Sequence, residues 1–158
     1  MKSLRAGAIA LIASLTLPAL AQTVPTETDM QILAQKVKAD KKLLVAVNMQ
    51  LTDAEAKGFW PIYDAYQKDL GGVDGRLLSV ISTYAAAYND GAVPNDLAKH
   101  LIDEYLAIGQ DEAKMTRSYV PKLAEVLPGA KVARYLQIET KIRAVERYEL
   151  AGGIPLVQ

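Results

Sequence analysis

Phe59-Trp60-Pro61-Ile62-Tyr63-Asp64-Ala65-Tyr66-Gln67-Lys68-Asp69-Leu70 opens the pattern that decides the fold. After Phe59, the residues Tyr63, Tyr66, Leu70, Val73, Leu77, Val80, Tyr84 and Ala87 follow at alternating spacings of four and three. A 3.5-residue period sustained over that length sets the apolar side chains on one narrow helical seam, which packs on another helix at a shallow angle. The segment just upstream, Leu51-Thr52-Asp53-Ala54-Glu55, supplies the start signal. Thr52 and Glu55 form a capping box, and Leu51 stands where a staple residue would. Pro61 removes one intrahelical hydrogen bond and predicts a kink near residues 57–61. Gly71 and Gly72 each cost about 1 kcal/mol relative to Ala inside a helix. The period passes through both without a phase slip, so one continuous long helix is expected.

Working outward, Thr28 and Gln31 form another capping box, and helix one is expected from about Asp29 to Val47, with Asn48-Met49-Gln50 as a short connection. Its lysines Lys36, Lys38, Lys41 and Lys42 read as a solvated face. On the other side, Asn89-Asp90-Gly91 is a turn signal. Pro94-Asn95-Asp96 starts a third helix carrying Leu97, Leu101, Tyr105, Ile108, Met115, Tyr119, Leu123 and Val126, with a kink expected at Pro121. Leu127-Pro128-Gly129 is a break, with Pro128 expected as the first residue of the last helix. That helix carries Val132, Tyr135, Ile138, Ile142 and Val145, and Gly152-Gly153 is expected to stop it in a left-handed conformation. Ile154-Pro155-Leu156-Val157-Gln158 is an apolar tail that should dock on its own fold or on a partner. No run alternates apolar and polar residues between turn signals, so no strand is predicted. The fold class is all-α: an elongated four-helix hairpin or bundle, with two long kinked helices of roughly 35 residues and about 50 Å each.

The chain has 158 residues, 18 basic and 18 acidic, one His and no Cys. Met1 to Arg5 is basic, Ala6 to Leu17 is apolar, and Ala19 and Ala21 make a small-x-small site. This is the pattern of a cleaved signal peptide, residues 1–21, cut after Ala21. The apolar run is short for a membrane span, and a lipoprotein is not expected, since there is no Cys to acylate. A single helical domain, residues 22–158, is then expected in the periplasm. It would carry a formal charge of −2 once Lys2 and Arg5 are removed, with no stable membrane insertion. The near balance of charge gives no reason to expect nucleic acid as a partner.

The composition excludes several chemistries. Without Cys there are no disulfides, thiolate nucleophiles or thiolate zinc sites. His100 is the lone imidazole, and Leu97 stands where a di-iron bundle would need Glu. The adjacent acids Asp103-Glu104 and Asp111-Glu112 diverge by about 100° on a helix and do not converge on an ion. A haem or metal carrier would have to use Met30 and His100, a minor reading. There is no catalytic triad and no phosphate loop, since Gly71-Gly72 lacks the Lys and the strand context. No cofactor and no enzymatic activity are expected.

What stands out is eight Tyr against one Phe. Tyrosine joins apolar area to a polar tip, which suits core boundaries and binding faces alike. For a client-binding face the candidates are Phe59, Trp60, Tyr63 and Tyr66 around Pro61, together with Arg134 and Arg143 on the basic last helix. Core packing explains the same aromatics.

Leu51-Thr52-Asp53-Ala54-Glu55 resembles the LTxxQ motif of the Spy/CpxP family of periplasmic stress proteins, with Glu55 in place of Gln. Leu127-Pro128-Gly129-Ala130-Lys131 occupies the place of that family's second copy, with Pro128 and Lys131 replacing Thr and Gln. The segments Val37 to Leu44, Phe59 to Tyr63, Lys131 to Tyr135 and Tyr148 to Ala151 resemble a family of proteobacterial exported proteins that brings no assigned activity. The Spy/CpxP resemblance implies a thin, bent helical body, often a homodimer, that binds unfolded envelope proteins without ATP or modulates a stress sensor. Metal sensing is not implied, because the His-rich termini of some relatives are missing. The alternative is a structural or scaffold protein that binds one specific envelope partner.

Overall fold

The computed structural model describes residues 40–157. Among them are four helices and no strand: α1 (40–49), α2 (Asp53–Asn89), α3 (Asn95–Ala124) and α4 (Gly129–Gly152). The expected all-α bundle is the fold. The signal segment, the Thr28 capping box, the start of helix one and Met30 lie outside the described residues.

The caps explain the element boundaries. Thr52 Oγ1 accepts from the Glu55 N–H at 3.3 Å, and Glu55 Oε2 accepts from the Thr52 N–H at 2.8 Å. Each satisfies a backbone donor that the first helical turn leaves free. Lys131 Nζ reaches the same carboxylate at 2.5 Å and the Gln50 carbonyl at 3.1 Å, so the start of α4 is tied to the α1–α2 turn. Lys131 and the Thr52 backbone together hold the Glu55 carboxyl below the usual carboxylate range. At the far end Gly91 takes φ +106°, the left-handed turn that Asn89-Asp90-Gly91 signals.

Helix α2 is unbroken through Pro61, Gly71 and Gly72. Lys57 and Pro61 are both exposed, so the carbonyl that Pro61 leaves without a helical donor lies on the solvent side. Gly58 has a different task. A Cβ there would sit 2.8 Å from Val126 Cγ1, so the α3–α4 turn rests directly on the α2 backbone.

Three expectations are corrected. Helix α1 runs to Met49, beyond Val47, because Val45 and Met49 are fully buried and packing holds the last turn. The chain then turns at Gln50, with φ +48°. Pro128 is the extended cap before α4, and Gly129 is the first helical residue. Gly153 ends α4 with φ −93°, a right-handed conformation.

Helices α2 and α3 are antiparallel, and α4 returns beside α3. Arg76 on α2 binds Glu104 and Asp111 on α3, at 2.8 Å each. The main core fills the proximal half. Phe59, Tyr63, Tyr66 and Leu70 meet Met49, Tyr119, Leu123, Tyr135 and Ile142 there. Beyond Leu70 the same seam continues through Val73, Leu77, Val80 and Tyr84, but these side chains are only half-buried. One heptad pattern therefore serves a closed core at one end and an open one at the other.

Candidate functional site

The expected aromatic binding face is core. Phe59 is completely buried and Tyr63 and Tyr66 nearly so, at 0, 4 and 3 % exposure. The Phe59 ring stands edge-on to Trp60 and Tyr135, with centroids 5.0 and 5.1 Å away. Tyr66 is edge-on to Tyr119 at 5.2 Å and to Tyr135 at 5.9 Å. Such edge-to-face pairs add about 0.5–1.5 kcal/mol each beyond the area they bury. Two of the hydroxyls bond inside the protein. Tyr66 shares a hydrogen bond with Thr116 Oγ1 at 3.3 Å, and Tyr119 donates to Asp69 Oδ2 at 2.6 Å. Burial, then the charge of Glu139, pushes the Tyr63 hydroxyl up to about 12. Burial, then Asp69, does the same for Tyr119, also to about 12. Trp60 alone of the four is half-buried, and the Lys42 ammonium lies over its ring at 5.1 Å.

The basic residues of α4 separate. Arg143 is enclosed: its guanidinium meets Asp74 at 2.8 Å, Glu112 at 3.1 Å and Glu146 at 3.2 Å. Burial works against its charge, but these carboxylates outweigh it and leave the pKa above the usual guanidinium value. One turn away, buried Glu139 accepts from Gln67 Nε2 at 2.8 Å and pairs with Lys41 at 3.2 Å. This polar layer joins α1, α2, α3 and α4. Arg143 thus clamps α2, α3 and α4 together through Asp74, Glu112 and Glu146. Arg134 is exposed, on a shallow groove between α1 and α4 that also includes Leu44, Val47, Ile138 and Lys141. Leu51 packs on the core, Leu127 is buried in it, and Thr52, Glu55 and Pro128 act as caps. His100 is exposed, and among the described residues no group of three or more His, Asp or Glu could hold a metal ion.

The open half of the seam forms the candidate site. Between α2, α3 and the end of α4 lies an apolar cleft of about 430 Å³. Leu77, Val80, Ile81 and Tyr84 form its α2 wall, and Leu101, Ile102 and Tyr105 its α3 wall. Leu150, Ala151, Ile154 and Val157 close one side. Arg147 is the one charged residue on the lining among the described residues, and Glu112 binds its guanidinium. Ile102 and Tyr105 are 58 and 54 % exposed, and Leu78 and Leu106 extend the apolar surface past the rim. Fully covering a side chain of this size is worth about 1.5–3 kcal/mol, so the walls stand ready to gain from a partner. Among the described residues the lining carries no nucleophile and no acid–base pair. Its chemistry is the removal of apolar surface from water.

Comparison with protein-family models, curated proteins and solved structures gives no match for this chain. The reading of the cleft therefore rests on its own residues.

Sequence reasoning looked for a binding face at the end of the seam where Phe59, Tyr63 and Tyr66 are buried. The signal that marks the cleft lies in the apolar doublets Leu77-Leu78, Val80-Ile81, Leu101-Ile102 and Tyr105-Leu106. Neighbours on a helix point about 100° apart, so doublets make an apolar arc wider than one facing helix covers.

Proposed function

We propose that this protein is a binding module of the bacterial periplasm that holds apolar segments of unfolded or partly folded envelope proteins, without nucleotide, in the cleft between α2, α3 and α4. The observation that carries the reading is the exposure of Ile102, Tyr105, Leu78 and Leu106 around an apolar cleft. Contiguous apolar surface of this kind on a folded chain marks an interaction site. Export is supported by the signal-like segment at residues 1–21. Among the described residues no helix is long and apolar enough to cross a membrane. The Spy/CpxP-like caps at Leu51-Thr52-Glu55 and Leu127-Pro128 agree with this reading as helix-capping elements.

The test is suppression of aggregation. Several unrelated unfolded proteins are diluted from denaturant with the protein at near-equal ratios, and light scattering is followed. The wild type lowers scattering for most of them. The variant Ile102→Lys/Tyr105→Lys changes only exposed positions, keeps its helicity and melting temperature, and loses most of the effect. Suppression unchanged in that variant removes the cleft as the binding surface.

A further inference from the structure

The C-terminal tail already occupies one side of the cleft. After Gly152-Gly153 the chain leaves the helix, and the side chains of Ile154 and Val157 join the lining. The Tyr84 hydroxyl on α2 donates to the Pro155 carbonyl at 2.9 Å. Proline has no N–H to commit to a helix and stiffens the backbone that presents this carbonyl. Yet much of the tail stays open to solvent: Leu156 is 89 % exposed and Val157 is 56 % exposed. An apolar, non-helical segment thus lies along an apolar wall and is joined to it by the Tyr84 hydrogen bond.

We propose that the tail segment Ile154 to Val157 is a displaceable strap, an intramolecular stand-in for the extended apolar peptide segments that the cleft takes from clients. The proposal rests on the client-binding reading above and adds its regulation. Clients compete with the tail, so the intact chain binds with an affinity reduced by the fraction of molecules whose strap is closed. The strap also hides apolar surface when no client is present, which limits self-association.

Two variants test it. One is a chain ending at Gly153. The other is Tyr84→Phe in the full chain, which removes a single oxygen and leaves the fold intact. The probe is a fluorescently labelled, permanently unfolded carboxymethylated protein, and the readout is its Kd by anisotropy. The chain ending at Gly153 binds about fivefold to tenfold more tightly than the full chain, the range expected for releasing one hydrogen bond and two half-covered side chains. Tyr84→Phe binds about twofold to threefold more tightly in the full chain, and its gain does not add to that of the shortening. Equal Kd values for the full and shortened chains overturn the strap while leaving the client reading standing. Weaker binding after shortening overturns it as well, by making the tail part of the client's wall. Absence of binding by both chains removes the client reading and the strap with it.

Discussion

Phe59→Ala separates the core from the binding surface. The ring is completely buried, with three aromatic neighbours at centroid distances of 5.0, 5.1 and 6.0 Å. Truncation loses the transfer free energy of the ring and leaves a cavity under the α1–α2 turn. Partners as rigid as Tyr135 and Tyr63 cannot collapse into it, so the cost falls in the upper part of the range for buried Phe, about 4 kcal/mol. For a domain of this size that corresponds to a fall of about 15 °C in Tm. Urea unfolding followed by circular dichroism gives the loss directly, as a lower midpoint at unchanged slope. Phe59→Leu keeps most of the volume and should cost under about 1.5 kcal/mol. Binding of unfolded clients, measured where the variant is still folded, stays at the wild-type level. A loss below about 1 kcal/mol accompanied by weakened binding would refute the reasoning, because the ring would then be leaving the core to meet clients.

Other outcomes follow from the same contacts. Gly58→Ala should destabilise the protein by about 1–3 kcal/mol, since the new methyl meets Val126 Cβ at 2.9 Å and a β-branched side chain in a turn has little room to retreat; the same urea series measures it. Arg143→Met leaves Asp74 without its partner and Glu112 with Arg147 alone, and should cost about 2–4 kcal/mol, whereas Lys99→Ala, at an exposed pair, should stay within about 0.5 kcal/mol. Stability should fall steeply as pH rises above about 10. Burial raises the folded pKa of Tyr63, Tyr66, Tyr119 and Tyr135, so these groups favour the folded state fully below the unfolded value near 10. That contribution is lost as pH climbs, because the unfolded chain ionises first. Tyrosinate absorbance should appear together with loss of helicity, and ionisation well before unfolding would contradict the burial of these rings.

The helices were legible because their signals are local. Thr52-x-x-Glu55 caps α2 as read, the period from Phe59 passes through two glycines as read, and Asn89-Asp90-Gly91 turns where it should. Boundaries set by packing were harder. Met49 extends α1 because it is buried by residues far away in sequence, and nothing in Asn48-Met49-Gln50 announces that. The burial of the expected aromatic face was hidden for a related reason. Phe59, Tyr63 and Tyr66 share their seam with Leu77, Val80 and Tyr84, and periodicity treats them alike. Which half closes depends on α1 and on Tyr119 and Tyr135, which cover only the proximal half. The basic face of α4 divided in the same way. Arg143 and Arg134 look equivalent along the chain, but Asp74 and Glu112 stand opposite Arg143 alone.

The most direct measurement is to map where a client touches the protein. A photoreactive phenylalanine analogue is placed at Ile102 in the cleft and, in a separate protein, at Arg134 on the opposite groove. Each is irradiated with an unfolded envelope protein, and the cross-linked product is quantified. The account predicts strong cross-linking from position 102 and little from position 134. Equal yields at both positions, or cross-linking from position 134 alone, would contradict the cleft as the place where clients bind.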